Sequence, residues 1–194
     1  MIFSPHPYIP TYAKQVFSGV RSEIYQWDQE LYDGTYTPFE RIRFMDGAFT
    51  VGTTRDQKIL ITRQEQPCNS HFFSFPWGGL ESGEDPLDGA RREFLEETGY
   101  ASDTWIHWHT DKGGKNIASF TYFYIARNCE KIQEIQWDPG EKIELFEYDF
   151  DAFLLLSEDT TFVHNKSILH TLYQARLYPE KYRELRTLLF WEDA

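Results

Sequence analysis

The stretch that most limits what this chain can fold into is "DPLDGARREFLEETG", residues 85–99. Asp85 is a residue type that caps a helix N-terminus, and Pro86 suits the first helical position. Asp88 fits the positive end of the helix dipole, and Gly99 fits a left-handed C-cap. These independent signals bracket one helix over residues 86–98. Both flanks read as strands. Upstream, residues 16–44 form strands around the turn Tyr32-Asp33-Gly34, followed by strands near 48–51, 58–62 and 72–75, where Pro76 ends the last one. Downstream come strands near 105–109, 117–126 and 143–148, then helices over 151–156, 165–177 and a last one opened by Pro179. Strands on both sides of a single helix, with further helices after them, predict an α/β or α+β domain.

Within that frame we expect an N-terminal strand subdomain (1–45), a central α/β domain (46–150) and a C-terminal helical extension packed on it (151–194). Hydrophobic residues make up 41% of the 194 residues and aromatics 18%, enough for a packed core. The formal net charge of -12 repels nucleic-acid phosphates and anionic lipid, so no nucleic-acid or membrane partner is expected. An anionic small substrate would need a metal or a local arginine to overcome the same field. No apolar run reaches spanning length, and the first residues lack a signal-peptide pattern. Cys68 and Cys129 form no close-spaced pair, which predicts a reducing, cytoplasmic location.

Within the helix, a step of ~100° per residue puts Glu97 ~40° to one side of Glu93 and Glu96 ~60° to the other. All three carboxylates therefore share one face, while Leu87, Ala90 and Phe94 form an adjoining apolar face. Like charges at this spacing cost only about 0.2–0.5 kcal/mol per pair, so a solvated acidic helix is one reading. A divalent-cation site is the other. Oxygen ligands without nearby Cys or His suit Mg²⁺ or Mn²⁺ better than Zn²⁺. Helix geometry alone leaves both open.

The flanking residues add a pattern. Gly78, Glu84, Arg92-Glu93-Phe94, Glu96-Glu97 and Gly99-Tyr100 resemble the Nudix box, G-x5-E-x7-R-E-U-x-E-E-x-G-U with U a bulky apolar residue, at every fixed position. Phe94 and Tyr100 are aromatic where aliphatic residues are commoner. Resemblance to Nudix hydrolases implies an α/β/α sandwich with a mixed sheet, and a loop–helix–loop that binds Mg²⁺ against a substrate diphosphate. Carried over by position, Glu93 and Glu97 are the principal metal ligands, and Glu96 and Glu84 contribute further. Arg92 orients these carboxylates, and a backbone carbonyl near Trp77 or Gly78 completes the shell.

The runs "YQWDQELYDGTYTPFER", "ILITRQEQP", "FPWGGLESGEDP" and "EETGYAS" look like the ADP-ribose and nucleotide-sugar diphosphatase branch. That resemblance implies a homodimer formed through an N-terminal sheet whose aromatic residues line the nucleoside pocket. Trp27, Tyr32 and Tyr36 are the candidates here, against ordinary strand packing. Arg63 is expected near the diphosphate, or in an ion pair with Glu65 or Glu81. The branch typically has a proline after the box, where this chain has Asp111-Lys112-Gly113-Gly114-Lys115, expected as a mobile loop. A general base from a later loop would be Glu141, with Glu144 second, although Pro139-Gly140 also reads as a plain turn. His107 and His109 share a strand face but lack a third ligand at metal spacing, His164 and His170 read as helix-surface groups, and Cys68 lacks a partner that would make it a nucleophile. The expected activity is Mg²⁺-dependent hydrolysis of a nucleoside-diphosphate derivative, ADP-ribose or another nucleotide sugar. The alternatives are a Nudix pyrophosphatase for nucleoside triphosphates or dinucleotide coenzymes, and a non-catalytic ligand sensor.

Overall fold

A computed structural model of the protein describes residues 6–136, 140–163 and 166–190. The N-terminal part is an antiparallel ribbon of β1 (Lys14–Ser18), β2 (Ser22–Glu30) and β3 (Tyr36–Phe44). Its β2–β3 turn is closed by Asp33, whose Oδ1 accepts hydrogen bonds from the Thr35 amide (3.0 Å) and hydroxyl (2.7 Å). This is the side-chain turn chemistry that Asp supplies. Next come β4 (Gly47–Thr54), β5 (Ile59–Glu65), β6 (Phe72–Ser74) and β7 (Trp77–Gly79). Helix α1 (Pro86–Thr98) separates these from β8 (Tyr100–Ala101), β9 (Thr104–Gly113), β10 (Ile117–Lys131) and β11 (Lys142–Tyr148). The chain continues through α2 (Phe150–Leu155), a 3₁₀ turn (Leu156–Glu158), β12 (Phe162–Val163), α3 (Lys166–Leu177) and α4 (Pro179–Leu189).

The strands join in the order β1-β2-β3-β10-β4-β5-β6-β12. The sheet is mixed, since β10 runs parallel to β3 and β4 but antiparallel to β9. Side chains alternate across it with period two. On one face Val51, Ile59, Ile61, Phe123 and Ile125 meet Phe150, Phe153, Leu154, Ile168, Leu172 and Leu189 of α2–α4. On the other, Leu60, Ala126 and Cys129 surround Phe94 of α1, and Ala48 and Tyr124 pack on Ala90. The result is a three-layer α/β/α sandwich. Among the described residues no helix is long and apolar enough to cross a membrane.

The predicted α1 agrees with the structure at both ends. Residues 111–115 differ from the loop expected there. β9 continues through Gly113, and the Gly114 amide bonds the Ile117 carbonyl at 3.0 Å, so the glycines make a tight hairpin turn. Gly113 takes φ +82°, and a Cβ there would come within 2.4 Å of the Ile117 oxygen. Of the sequence features singled out above, Pro139, His164 and residue 165 lie outside the described residues.

Candidate active site

Helix α1 is bounded by a hydrogen-bonded cap at each end. Asp85 Oδ1 accepts the Leu87 amide at 2.9 Å, and Gly99 at φ +74° returns its amide to the Leu95 carbonyl at 2.8 Å. Its apolar side docks closely: a Cβ on Gly52 would come within 2.4 Å of the Phe94 ring. This rotation aims the acid face at the ends of β5 and β7.

Glu97 sits deepest, with 6% of its surface exposed. Its Oε1 accepts from Gln64 Nε2 at 3.2 Å and its Oε2 from the Trp77 amide at 2.9 Å. Burial drives its pKa well above the ordinary carboxylate range, against the pull of the Trp77 amide, and the nearby Glu141 and Glu93 charges push the same way as burial. Glu93 is less covered and rests over Gly78, so closely that a Cβ on Gly78 would fall 1.9 Å from the Glu93 carboxyl carbon. Glycine is required at this position for room, since Gly78 is not among the positive-φ residues.

Arg92 gathers the remaining acids. Its Nε and Nη2 form a fork onto Glu84, both at 3.0 Å, while Nη1 reaches Glu93 at 2.6 Å and Glu96 at 3.4 Å. Its Nη2 also donates to the Gly79 carbonyl at 3.2 Å. The Arg92 hydrogen bonds hold Glu84 below the usual carboxylate range, and Glu84 in turn pushes Arg92 upward. The four box glutamates therefore divide. Glu93 and Glu97 line a cleft of about 710 Å³ together with Glu141, Trp77, Gln66 and Arg21. Glu84 and Glu96 ring Arg92 instead, and Glu96 is partly exposed.

The other expected site residues are placed differently. Glu141 reaches the cleft, where its Oε1 accepts from Gln66 Nε2 at 2.9 Å. Glu144 does not. It pairs across the β5–β11 ladder with Arg63 at 2.6 Å, and the Arg63 guanidinium lies over Phe146. Arg63 is thus on the face of Ile59 and Ile61, whereas Gln64, one residue on, shares the face of Leu60 and reaches Glu97. The structure leaves Arg63 outside the cleft, in an ion pair with Glu144 rather than with Glu65 or Glu81. Trp27 is buried on β2 against Phe39, and Tyr36 is exposed at the start of β3. Tyr36 lies at the hairpin end, eight residues along the strand from Phe44 and so roughly 26 Å from it. Neither lines the cleft within one chain.

Among the described residues no three His, Cys, Asp or Glu groups stand ready-grouped to hold a metal ion. The donor set of the cleft nevertheless fits a hard divalent cation: carboxylate oxygens with no Cys or His, one of them buried where its charge is otherwise costly. Each Glu97 oxygen uses one lone pair on Gln64 or Trp77, so lone pairs remain for such an ion.

The NUDIX domain model matches residues 43–170. The chain belongs to the Nudix family. Its relatives include the methanol dehydrogenase activator of Bacillus methanolicus, 28% identical over 83% of this chain and 89% of that protein. The ADP-ribose pyrophosphatase of Bacillus subtilis is 29% identical over 76% of this chain and 82% of its own length. A crystal structure described as an ADP compounds hydrolase has the same fold, with a TM-score of 0.69 at 19% identity, covering 88% of this chain and 94% of the other. The chain is accordingly a Nudix hydrolase, a family that generally uses divalent metal ions.

Gln64, Gln66 and Arg21 escaped sequence reasoning. The period-two pattern of β5 could have found Gln64, which shares parity with Leu60 and Thr62. Nothing local marks the other two.

Proposed function

We propose that this Nudix hydrolase cleaves the diphosphate bond of a nucleoside-diphosphate derivative, ADP-ribose first among them, to a nucleoside monophosphate and a sugar phosphate. The observation that carries this reading is the convergence of Glu93, Glu97 and Glu141 on one cleft, with Glu97 buried. The Bacillus subtilis relative's name supports the substrate. Glu93 and Glu97 would hold Mg²⁺, or Mn²⁺, with Glu84 and Glu96 as supporting acids. When bound, that cation supplies charge neutralisation of the phosphates and a lower pKa for an attacking water.

The protein's own contribution is positional. The Trp77 amide and Gln64 fix the Glu97 carboxylate, and Arg92 fixes Glu93. Glu141 is the base, taking the water's proton on its carboxylate. Gln66 orients it. We further read residues 1–45, 46–150 and 151–194 as ribbon, catalytic unit and helical extension. The exposed Val16, Phe17, Tyr36, Phe39 and Phe44 of the ribbon suit a homodimer, and two free cysteines suit the cytoplasm.

The relative named as a dehydrogenase activator favours a second substrate class, since the hydride carriers of dehydrogenases include dinucleotides with the same diphosphate bridge. One screen separates the two: turnover of ADP-ribose, other nucleotide sugars, NAD and nucleoside triphosphates with Mg²⁺, Mn²⁺ or EDTA, with products identified. ADP-ribose is expected to give AMP and ribose phosphate only with the metal, and Glu97→Gln is expected to abolish this. Full activity in EDTA, or in Glu97→Gln, would end the metal reading.

A further inference from the structure

The cleft poses a charge problem that the metal ligands do not solve. Three carboxylates, Glu93, Glu97 and Glu141, line it, and a substrate diphosphate brings further negative charge. Among the described residues only one lysine or arginine lines the same cleft, Arg21, at the turn between β1 and β2. Nothing in its sequence setting announced it. The Arg21 guanidinium makes no hydrogen bond or ion pair among the described residues, whereas Arg92 is fully engaged with its acids.

Arg21 is held at the cleft by backbone. Its carbonyl accepts the Met45 amide at 3.2 Å, beside the Ser22–Phe44 pair that begins the ribbon. The next residue, Asp46, accepts the Leu80 amide at 2.9 Å on its carbonyl, and Gly47 pairs with Gly79 in β7. The fork of Arg43 (2.7 and 2.8 Å) and the Phe120 amide (2.6 Å) hold the Asp46 carboxylate. Met45 packs so closely on Gly79 that a Cβ there would lie 2.1 Å from the Met45 methyl. The turn bearing Arg21 is therefore tied to the loop that leads into α1, and its cation is placed relative to Glu93 and Glu97 by backbone, with no ion pair among the described residues.

We propose that Arg21 is a substrate-binding residue of this hydrolase, its guanidinium holding phosphate oxygens of the substrate's diphosphate. The proposal rests on the reading of this cleft as a diphosphate site. A planar fork of donors matches phosphate bidentately, and a guanidinium free of carboxylate partners keeps those donors for the ligand. In this way the N-terminal ribbon supplies a positive charge to the cleft, where the arginines of α1 are held by their own acids.

The test compares the full-length wild type with Arg21→Ala and Arg21→Lys in Mg²⁺. The readouts are kcat and KM for ADP-ribose, calorimetric affinity for its non-hydrolysable α,β-methylene analogue, and thermal unfolding. Arg21→Ala is expected to lose about 10- to 100-fold in kcat/KM, chiefly through KM, with a matching loss of analogue affinity and an unchanged Tm. Arg21→Lys is expected to recover part of both. If Arg21→Ala stays within about twofold of wild type in both readouts, the proposal is wrong. If the wild type binds the analogue but cleaves nothing, the proposed hydrolysis fails while the affinity series still decides the role of Arg21. A wild type that neither binds nor cleaves overturns both.

Discussion

Replacing Gly78 by alanine perturbs the site through a single contact. The added Cβ would stand 1.9 Å from the Glu93 carboxyl carbon and 2.3 Å from each of its oxygens. Carbon contacts settle at about 3.5–4.0 Å, so the carboxylate must retreat by roughly 1.6–2.1 Å. The backbone is not the obstacle, because Gly78 has no positive φ, and the loss of a glycine contributes about 0.4–1 kcal/mol of stability through the unfolded chain. The moving part is the end of a flexible side chain. A misplacement of about 1 Å at a reacting centre can cost about 10²-fold, or ~2.7 kcal/mol of transition-state stabilisation. Gly78→Ala is thus expected to lower kcat for ADP-ribose in Mg²⁺ by about 100-fold or more while Tm changes by only a few degrees. In a Glu93→Gln background the same substitution should cost less than about threefold, because the two act on one group. Wild-type kcat in Gly78→Ala, or a loss that simply adds to that of Glu93→Gln, would refute the argument. So would a large fall in Tm, since the strain would then lie in the strand.

Three further outcomes follow from the same geometry. Burial raises the Glu97 pKa above its unfolded value, so its contribution to stability is complete below the ordinary glutamate range and is lost as pH rises toward the folded pKa. In EDTA, melts between about pH 4.5 and pH 8 should show wild type losing stability relative to Glu97→Gln, with excess Mg²⁺ restoring wild type more than the variant; parallel curves would contradict this. Glu141→Gln is expected to slow turnover by about 10²–10⁴-fold with metal affinity nearly intact by calorimetry, and an unchanged rate would remove Glu141 as base. Burial pushes the Cys129 thiol up to about 12, so the folded protein should show one thiol reactive to a disulfide reagent at pH 8, the exposed Cys68, and two after denaturation.

What the sequence could disclose tracks how local each signal is. α1 was legible to the residue because caps are local chemistry, and Glu93, Glu96 and Glu97 were legible as one face because helical period is local too. The degree of exposure along that face was not. Glu97 is buried and Glu96 partly exposed because of how Phe94 seats against Gly52, a contact between segments more than forty residues apart. Arg63 shows a different limit. The sequence leaves phosphate contact and an ion pair both open for it, and only strand parity decides, putting Arg63 with Ile61 and Glu144 and delivering Gln64 to the acids. Trp27 and Tyr36 are open to a nucleoside contact or to ordinary strand packing; Trp27 packs on Phe39, and pairing Glu30 with Tyr36 carries that end of the ribbon away from the cleft. The base of the same ribbon, which carries Arg21, is what returns to it. Its position follows from long-range ladder pairing that no single turn encodes.

The disposition of charge explains why the box carries an arginine among its acids. Glu84, Glu93, Glu96 and Glu97 bring four potential negative charges, and Arg92 offsets one of them while touching three. Without it, the acids would repel one another into solvent, and a cation would have to pay for their ordering on arrival. With Arg92 bonded to the Gly79 carbonyl as well, Glu93 and the β7 backbone are held together beforehand. Glu97 is left out of that neutralisation, buried against Trp77 and Gln64 with its pKa raised. The side chain Arg92 does not reach is therefore the one with most to gain from a divalent ion. On the proposed function, an ion there and a diphosphate in the cleft would each relieve the field that opposes the other, so their binding free energies would be coupled with positive sign, and by linkage equally in both directions.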